Sequence, residues 1–377
     1  MPDAAEFDAL SAEFYEGWFH FHPDLALRIG LPVAGRLLPA RDADERAALR
    51  GWLEELLLGL DEIDFMALDA ARQLDWELMA GAARVEYREL VDHDRYGLDP
   101  LRLLPLAEVD WLARGGAGEP EALVGYRNCL TEELAPHARG VLGCGVEHLG
   151  LRLREVHFID CAPTTDEGPV DRILREAELA LIDLGGDLGP AAVRLTGTPT
   201  AADPSGAGRE GGNAAVATDP VHLGRLPRRL ANAASLTVGW RLYQGHHTAH
   251  GEAGQCPQGL VDRRERLLRA RLDLDLHRGR CDGDQALDTL RHHGIAGPPA
   301  DALLAQIALH PGDALAGVLG WRLLERAHGL LRAEGGPTAA EFHDRLFSLG
   351  AIPLPLALRY GFGQALWRGA RAMVCGG

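Results

Sequence analysis

Apolar side chains recur every three or four residues along most of this 377-residue chain, a spacing that suits the α-helix and little else. Phe7, Leu10, Phe14 and Trp18 form one such stripe. Leu49, Trp52, Leu53, Leu56, Leu57 and Leu60 form a stronger one, with charges between them. Leu74, Leu78 and Val85 continue the pattern as far as Gly97-Leu98-Asp99-Pro100, which reads as a helix stop. Ile173, Leu174, Ala177 and Leu181 mark another helix, and Leu315, Val318, Leu319, Leu323, Ala327, Leu330 and Leu331 a late one. Only Leu151 to Asp160 reads as strand-like. The expected fold class is mostly α, a multi-helix assembly with at most a minor strand element. Gly197 to Asp219, made of Gly, Ala, Pro, Thr and Ser without an aromatic residue, interrupts the pattern. It reads either as a linker between helical halves at 1–196 and 220–377, or as a surface loop within one domain.

Composition narrows the chemistry. All 38 basic residues are Arg, and Lys is absent. Without a lysine amine there is no Schiff base, so pyridoxal-phosphate and lysine-dependent aldolase mechanisms are excluded. The phosphate grips of P-loop proteins and protein kinases need a Lys as well. With abundant Ala, Gly, Leu and Arg, the missing Lys reflects the codon bias of a GC-rich genome rather than a function. A net charge of -17 argues against nucleic acid or an anionic membrane surface as the main partner. The acidic start, Met1-Pro2-Asp3, lacks the apolar core of a secretory signal, and no 18-residue apolar run suggests a membrane span. The six Cys are scattered, with no C-x-x-C pair, as expected of free thiols in a reducing compartment. A cytoplasmic protein is expected.

Several strings together resemble one family, the bacterial domain of unknown function 885, whose helical members are grouped with zincin-type metallopeptidases. Near the N-terminus these are Phe7-Asp8-Ala9-Leu10, then His22-Pro23-Asp24-Leu25-Ala26 and Gly30-Leu31. Arg269 to His277 (RARLDLDLH) is similar to the family's R-x-x-x-D-T-G-L-H, and Asp284-Gln285-Ala286 to S-R-E-Q-A. His310 to Gly320 (HPGDALAGVLG) resembles P-G-Q-A-L-x-Y-x-x-G, and Phe342 to Leu354 resembles F-H-D-x-x-L-x-x-G-x-x-P-L. The strings follow the family's order and reach both ends of the chain, while the middle is shortened. The resemblance implies a zincin-like helical fold.

It also implies a zinc site, and there the sequence departs. The family carries H-E-x-x-P-G-H-H and, further on, E-G-W-A-L-Y-x-E; in a zincin the two His and a carboxylate hold zinc, and the Glu beside the first His is general base. Val238-Gly239-Trp240-Arg241-Leu242-Tyr243-Gln244-Gly245 fits the second string, with Val238 at the ligand Glu and Gly245 at the second Glu. No H-E pair lies upstream; Asp219-Pro220-Val221-His222 is the nearest remnant. The tyrosine of P-G-Q-A-L-x-Y is Gly317. In an alternative register Gln244-Gly245-His246-His247 is the P-G-H-H piece, and the zinc motif is broken there too.

Other groups remain for chemistry. His246 and His250 share a helix face at i, i+4, the spacing of a zinc-binding pair, with Asp273 or His277 as a third ligand of a relocated site. The same segment also reads as a solvated helix end. Arg269, Asp273 and His277 lie on one helix face. They form either an acid/base set, with Arg269 gripping a carboxylate, or a buried ion network. Trp240 and Tyr243 read as core aromatics that could also line a pocket, and His343 as a structural turn histidine. Cys256 and Cys281 flank the matched helix with no base beside them. Two functions are open. One is a repurposed enzyme acting on a small molecule or short peptide, with His222, His246, His250, Asp273 and His277 as acid/base or ligand candidates. The other is a pseudo-peptidase serving as a binding or accessory module. A divalent metal such as zinc is the one cofactor suggested, at His246 and His250.

Overall fold

The computed structural model describes residues 2–28, 43–92, 142–185, 231–249 and 257–376, with five isolated residues between 127 and 136. Among these the chain is mostly helical, as its periodicity requires, and no strand occurs. It divides into two compact units, one holding the helices up to Val91 and the other those from Val146 onward.

In the first unit, α1 (Pro2–Phe21), α2 (Pro23–Arg28), α3 (Ala43–Glu62) and α4 (Ala70–Val91) pack around an aromatic core. Phe14 and Trp18, one turn apart on α1, stack at 5.1 Å and meet Trp52 of α3 at 6.1 Å each. Leu49, Leu53, Leu56 and Leu60 fill the facing stripe. Asp69 caps α4 by accepting from the Arg72 amide, while the Arg72 guanidinium reaches both carboxylate oxygens of Asp8 on α1.

The second unit contains α5 (Val146–Glu155), α6 (Pro169–Gly185), α7 (Ala234–Ala249), α8 (Pro257–His277), α9 (Gly283–His292), α10 (Pro298–Leu309), α11 (Asp313–Ala333), α12 (Ala339–Phe347), α13 (Leu354–Phe362) and α14 (Gln364–Cys375). Helix α11 is its axis. Leu315, Val318, Leu319, Leu323 and Leu324 are fully buried, each contributing about 2 kcal/mol by leaving water. Helices α7 and α8 both pack on α11, α7 running parallel to it and α8 antiparallel. Helix α10 meets α11 at 77°, through a turn in which Gly312 takes a φ of +88° that side chains disfavour.

Two expectations are corrected. The strand-like stretch from Leu151 to Asp160 is the end of helix α5 and the turn after it. Leu149 and Leu153 point inward one turn apart, and the buried Arg152 between them donates to the Pro311 carbonyl at 2.9 Å. The alternation of Leu149, Leu151 and Leu153 came from a helix buried on more than one side. Helices α5 and α6, assigned to an N-terminal half, belong to the second unit. Arg278 of α8 holds both oxygens of Asp171 on α6 at 2.9 Å, and Arg271 reaches Glu178 at 3.1 Å, so α6 docks on α8. The 197–219 stretch and the stop at 97–100 lie outside the described residues.

Helices α7 and α11 touch backbone to backbone. A Cβ on Gly320 would come to 1.9 Å from the Ser235 carbonyl oxygen. Gly320→Ala should therefore cost about 2–3 kcal/mol in urea denaturation, as an overpacked core does. On the same helix Gly329 has nothing within 4 Å of its Cβ position, so Gly329→Ala should be neutral or stabilise by up to about 1 kcal/mol. Equal effects of the two variants would refute the seam.

Candidate functional site

Asp273 and His277 lie where the sequence places them, on one face of α8, and both are completely buried. The Asp273 carboxylate accepts from the Gly312 amide at 2.9 Å and the Leu315 amide at 3.0 Å, capping the N-terminus of α11 from another helix. The Cys144 amide donates to Nδ1 of His277 at 3.1 Å, so the ring carries its proton on Nε2. That N–H faces the Ile307 carbonyl at 3.1 Å and Asp273 Oδ1 at 3.5 Å. Both ring nitrogens are thus used by backbone groups. Burial pushes the Asp273 carboxyl up to about 7, against the pull of its two amide donors. Arg269, one turn back, pairs with Glu265 on its own helix and not with Asp273. Of the two readings of Asp273 and His277, these contacts are those of a buried network, with both side chains engaged by backbone groups. The two residues fasten three backbone segments to α8.

The neighbouring turn is pinned in the same way. His157 Nε2 lies 3.1 Å from Asp313 Oδ1, and the Asn232 amide donates to that oxygen at 2.9 Å. Burial alone would raise the Asp313 carboxyl. The hydrogen bond and charge of His157, with His310 and Arg152 nearby, hold it well below the usual carboxylate range.

The seam between α7 and α11 bears on the zinc position that the resemblance implies. Val238, at the place the resemblance gives to a ligand Glu, faces Gly317, at the place of the family's tyrosine. A Cβ on Gly317 would lie 2.5 Å from Val238 Cγ1. The isopropyl group occupies the space in which carboxylate and phenol would meet, so these residues do not fit a zinc ion. Among the described residues no group of three His, Cys, Asp or Glu could hold a metal. His246 falls within α7, but its side chain, with His222 and His250, lies outside the described residues.

Trp240 and Tyr243 gather with residues that no motif announced. Tyr243 is buried, its hydroxyl 2.5 Å from Nδ1 of His328 on α11, and burial pushes its phenol up to about 12. Trp240 lies against Tyr243 at 5.5 Å and meets His343 edge-on at 4.4 Å. His343 stands within helix α12 rather than in a turn; burial lowers its pKa, and its Nε2 is buried without a hydrogen-bond partner. Beside them Glu325 accepts from Trp321 Nε1 at 2.8 Å and from Arg322. Arg263 of α8, almost fully buried, faces Glu325 electrostatically. Signals for His328, Arg263 and Glu325 were absent from the sequence: His328 is one polar residue in an apolar stretch, and Arg263 and Glu325 sit among other charged residues that a solvated helix face would also carry. Cys256 lies outside the described residues. Cys281 is partly buried and its thiol is pushed up to about 11, chiefly by burial, which disfavours a thiolate nucleophile.

No protein-family profile matches the chain, and no curated protein does. Among solved structures, it is similar to one described as "a putative lipoprotein of unknown function" from Shewanella oneidensis. The alignment covers 93% of this chain and 98% of the other, with a TM-score of 0.60 and 11% identity, a likeness of fold alone.

Two measurements test the site. Asp273→Asn replaces one acceptor oxygen by an N–H facing a backbone amide and should lose about 3 kcal/mol of unfolding free energy. Unchanged stability would return Asp273 to a functional role. For Asp313, the lowered folded pKa means its contribution is complete above the unfolded value of 3.8 and lost as pH falls below it. The cost of Asp313→Asn in urea denaturation should therefore be larger at pH 6 than at pH 3. A pH-independent cost would contradict the His157 pairing.

Proposed function

We propose that this chain keeps the helical frame of the domain of unknown function 885 family as a binding or accessory module, without zinc peptidase chemistry. The observation that carries this reading is Val238 seated on Gly317, which fills the position where the family's ligand and tyrosine would meet. The use of Asp273 and His277 as buried anchors supports it, because the acid/base set that favoured an enzyme is spent on backbone amides and carbonyls. The alternative, a repurposed enzyme for a small molecule or short peptide, keeps His222, His246 and His250 among its candidate residues. We place the protein in the cytoplasm on its scattered cysteines; the Shewanella protein, by its description, belongs to a lipoprotein class.

Tag-free protein equilibrated with zinc, then assayed for bound metal and for cleavage of a mixed peptide library, tests the reading. The expected result is sub-stoichiometric zinc and no zinc-dependent cleavage. One zinc per chain with cleavage, both lost in His246→Ala and His250→Ala, would overturn it.

A further inference from the structure

We propose that Arg263, Arg266 and Arg269 of α8 form a binding site for a small oxyanion ligand, one presenting carboxylate or phosphate oxygens to them. The inference rests on the binding-module reading and names the ligand class.

Arg263 carries most of the argument. It is 4% exposed, and its Nη1 is buried without a hydrogen-bond partner. A guanidinium offers five N–H donors in a planar fork. Burying it without acceptors costs free energy, unless an anion with paired oxygens completes the site. Arg266 and Arg269 follow at successive three-residue steps on α8, a spread of roughly 120° around a helix of 3.6 residues per turn. Arg266 is partly buried and also lacks a hydrogen-bond partner among the described residues, and Arg241 of α7 and Arg269 are close enough to repel its charge. Arg269 spends one nitrogen on Glu265, but its Nε is buried without a partner.

The local charge balance points the same way. Arg266 has the guanidiniums of Arg241 and Arg269 near it against the carboxylates of Asp262 and Glu265, and Glu325 has those of Arg263, Arg322 and Arg326, of which Arg322 also reaches Glu176 at 3.5 Å. Glu265 is held by Arg269, and Glu325 by Arg322 and Trp321. A chain of net charge -17 thus concentrates positive charge at one half-buried place. Structural arginines of the same unit reach carboxylates or carbonyls, as Arg278 and Arg152 do, although Arg278 also leaves its Nε without a partner; the contrast therefore rests on Arg263 and Arg266.

Thermal unfolding of the full chain with added anion tests the site. Inorganic phosphate and citrate, each at about 10 mM, are compared with sodium chloride at matched ionic strength to remove general screening. Either anion should raise Tm by at least about 2 °C over chloride, as ligands that bind only the folded state do. A response to phosphate alone marks a phosphate-bearing ligand, and a response to citrate alone marks a polycarboxylate. Arg263→Met should remove the response and, by removing a buried guanidinium whose Nη1 has no acceptor, leave the ligand-free protein at least as stable. Arg266→Gln should weaken the response should the first variant fail to fold, and Arg291→Gln, at an exposed position paired with Asp288, should keep it. No response to either anion, one that persists in Arg263→Met, or one undiminished in Arg266→Gln would overturn the site. Neither result bears on the absence of peptidase chemistry, which the zinc experiment decides.

Discussion

A carboxylate buried at the start of a helix organises the second unit. Desolvating Asp273 is expensive, and the position is tolerable because two amides at the first turn of α11 and the positive end of that helix's dipole meet it. One turn on, His277 takes an amide from the segment before α5 and faces the last turn of α10. Three backbone segments are tied to two neighbouring side chains. Arg152, His157 and Asn232 complete the clamp on the same turn. With the C-terminal end of α8 fixed against the N-terminal end of α11, α8 must run back along α11, which brings Arg263 opposite Glu325.

The second constraint is the glycine seam. Where Gly320 meets the Ser235 carbonyl there is no room for any side chain, so α7 and α11 are held at contact distance. That closeness seats Val238 on Gly317. A carboxylate and a phenol placed at these two positions would have to part the helices.

The helices were legible because apolar spacing reports burial directly: the stripes at Phe7 to Trp18, Leu49 to Leu60 and Leu315 to Leu331 all became helices. Spacing also placed Arg269, Asp273 and His277 on one face. It carried no information on what that face meets, and so did not separate an acid/base set from an anchor; the partners, Gly312, Leu315, Cys144 and Ile307, contribute only backbone atoms. The stretch from Leu151 read as strand-like because α5 buries more than one side, Arg152 included, whose guanidinium serves a buried carbonyl. The grouping of α5 and α6 with the C-terminal helices depends on pairs such as Asp171 with Arg278, over a hundred residues apart, which no local pattern records. Arg263 and His328 were hidden for a related reason: their meaning comes from neighbours on other helices.

Amide hydrogen exchange at Gly312 and Leu315 tests the central claim most directly, namely that the acid/histidine face of α8 is a structural anchor. The account predicts that these two amides, at the first turn of a helix where protection is usually weak, exchange as slowly as the core of α11, and lose that protection in Asp273→Asn. Fast exchange at Gly312 and Leu315 in the unaltered protein would contradict it, and would leave Asp273 available for chemistry.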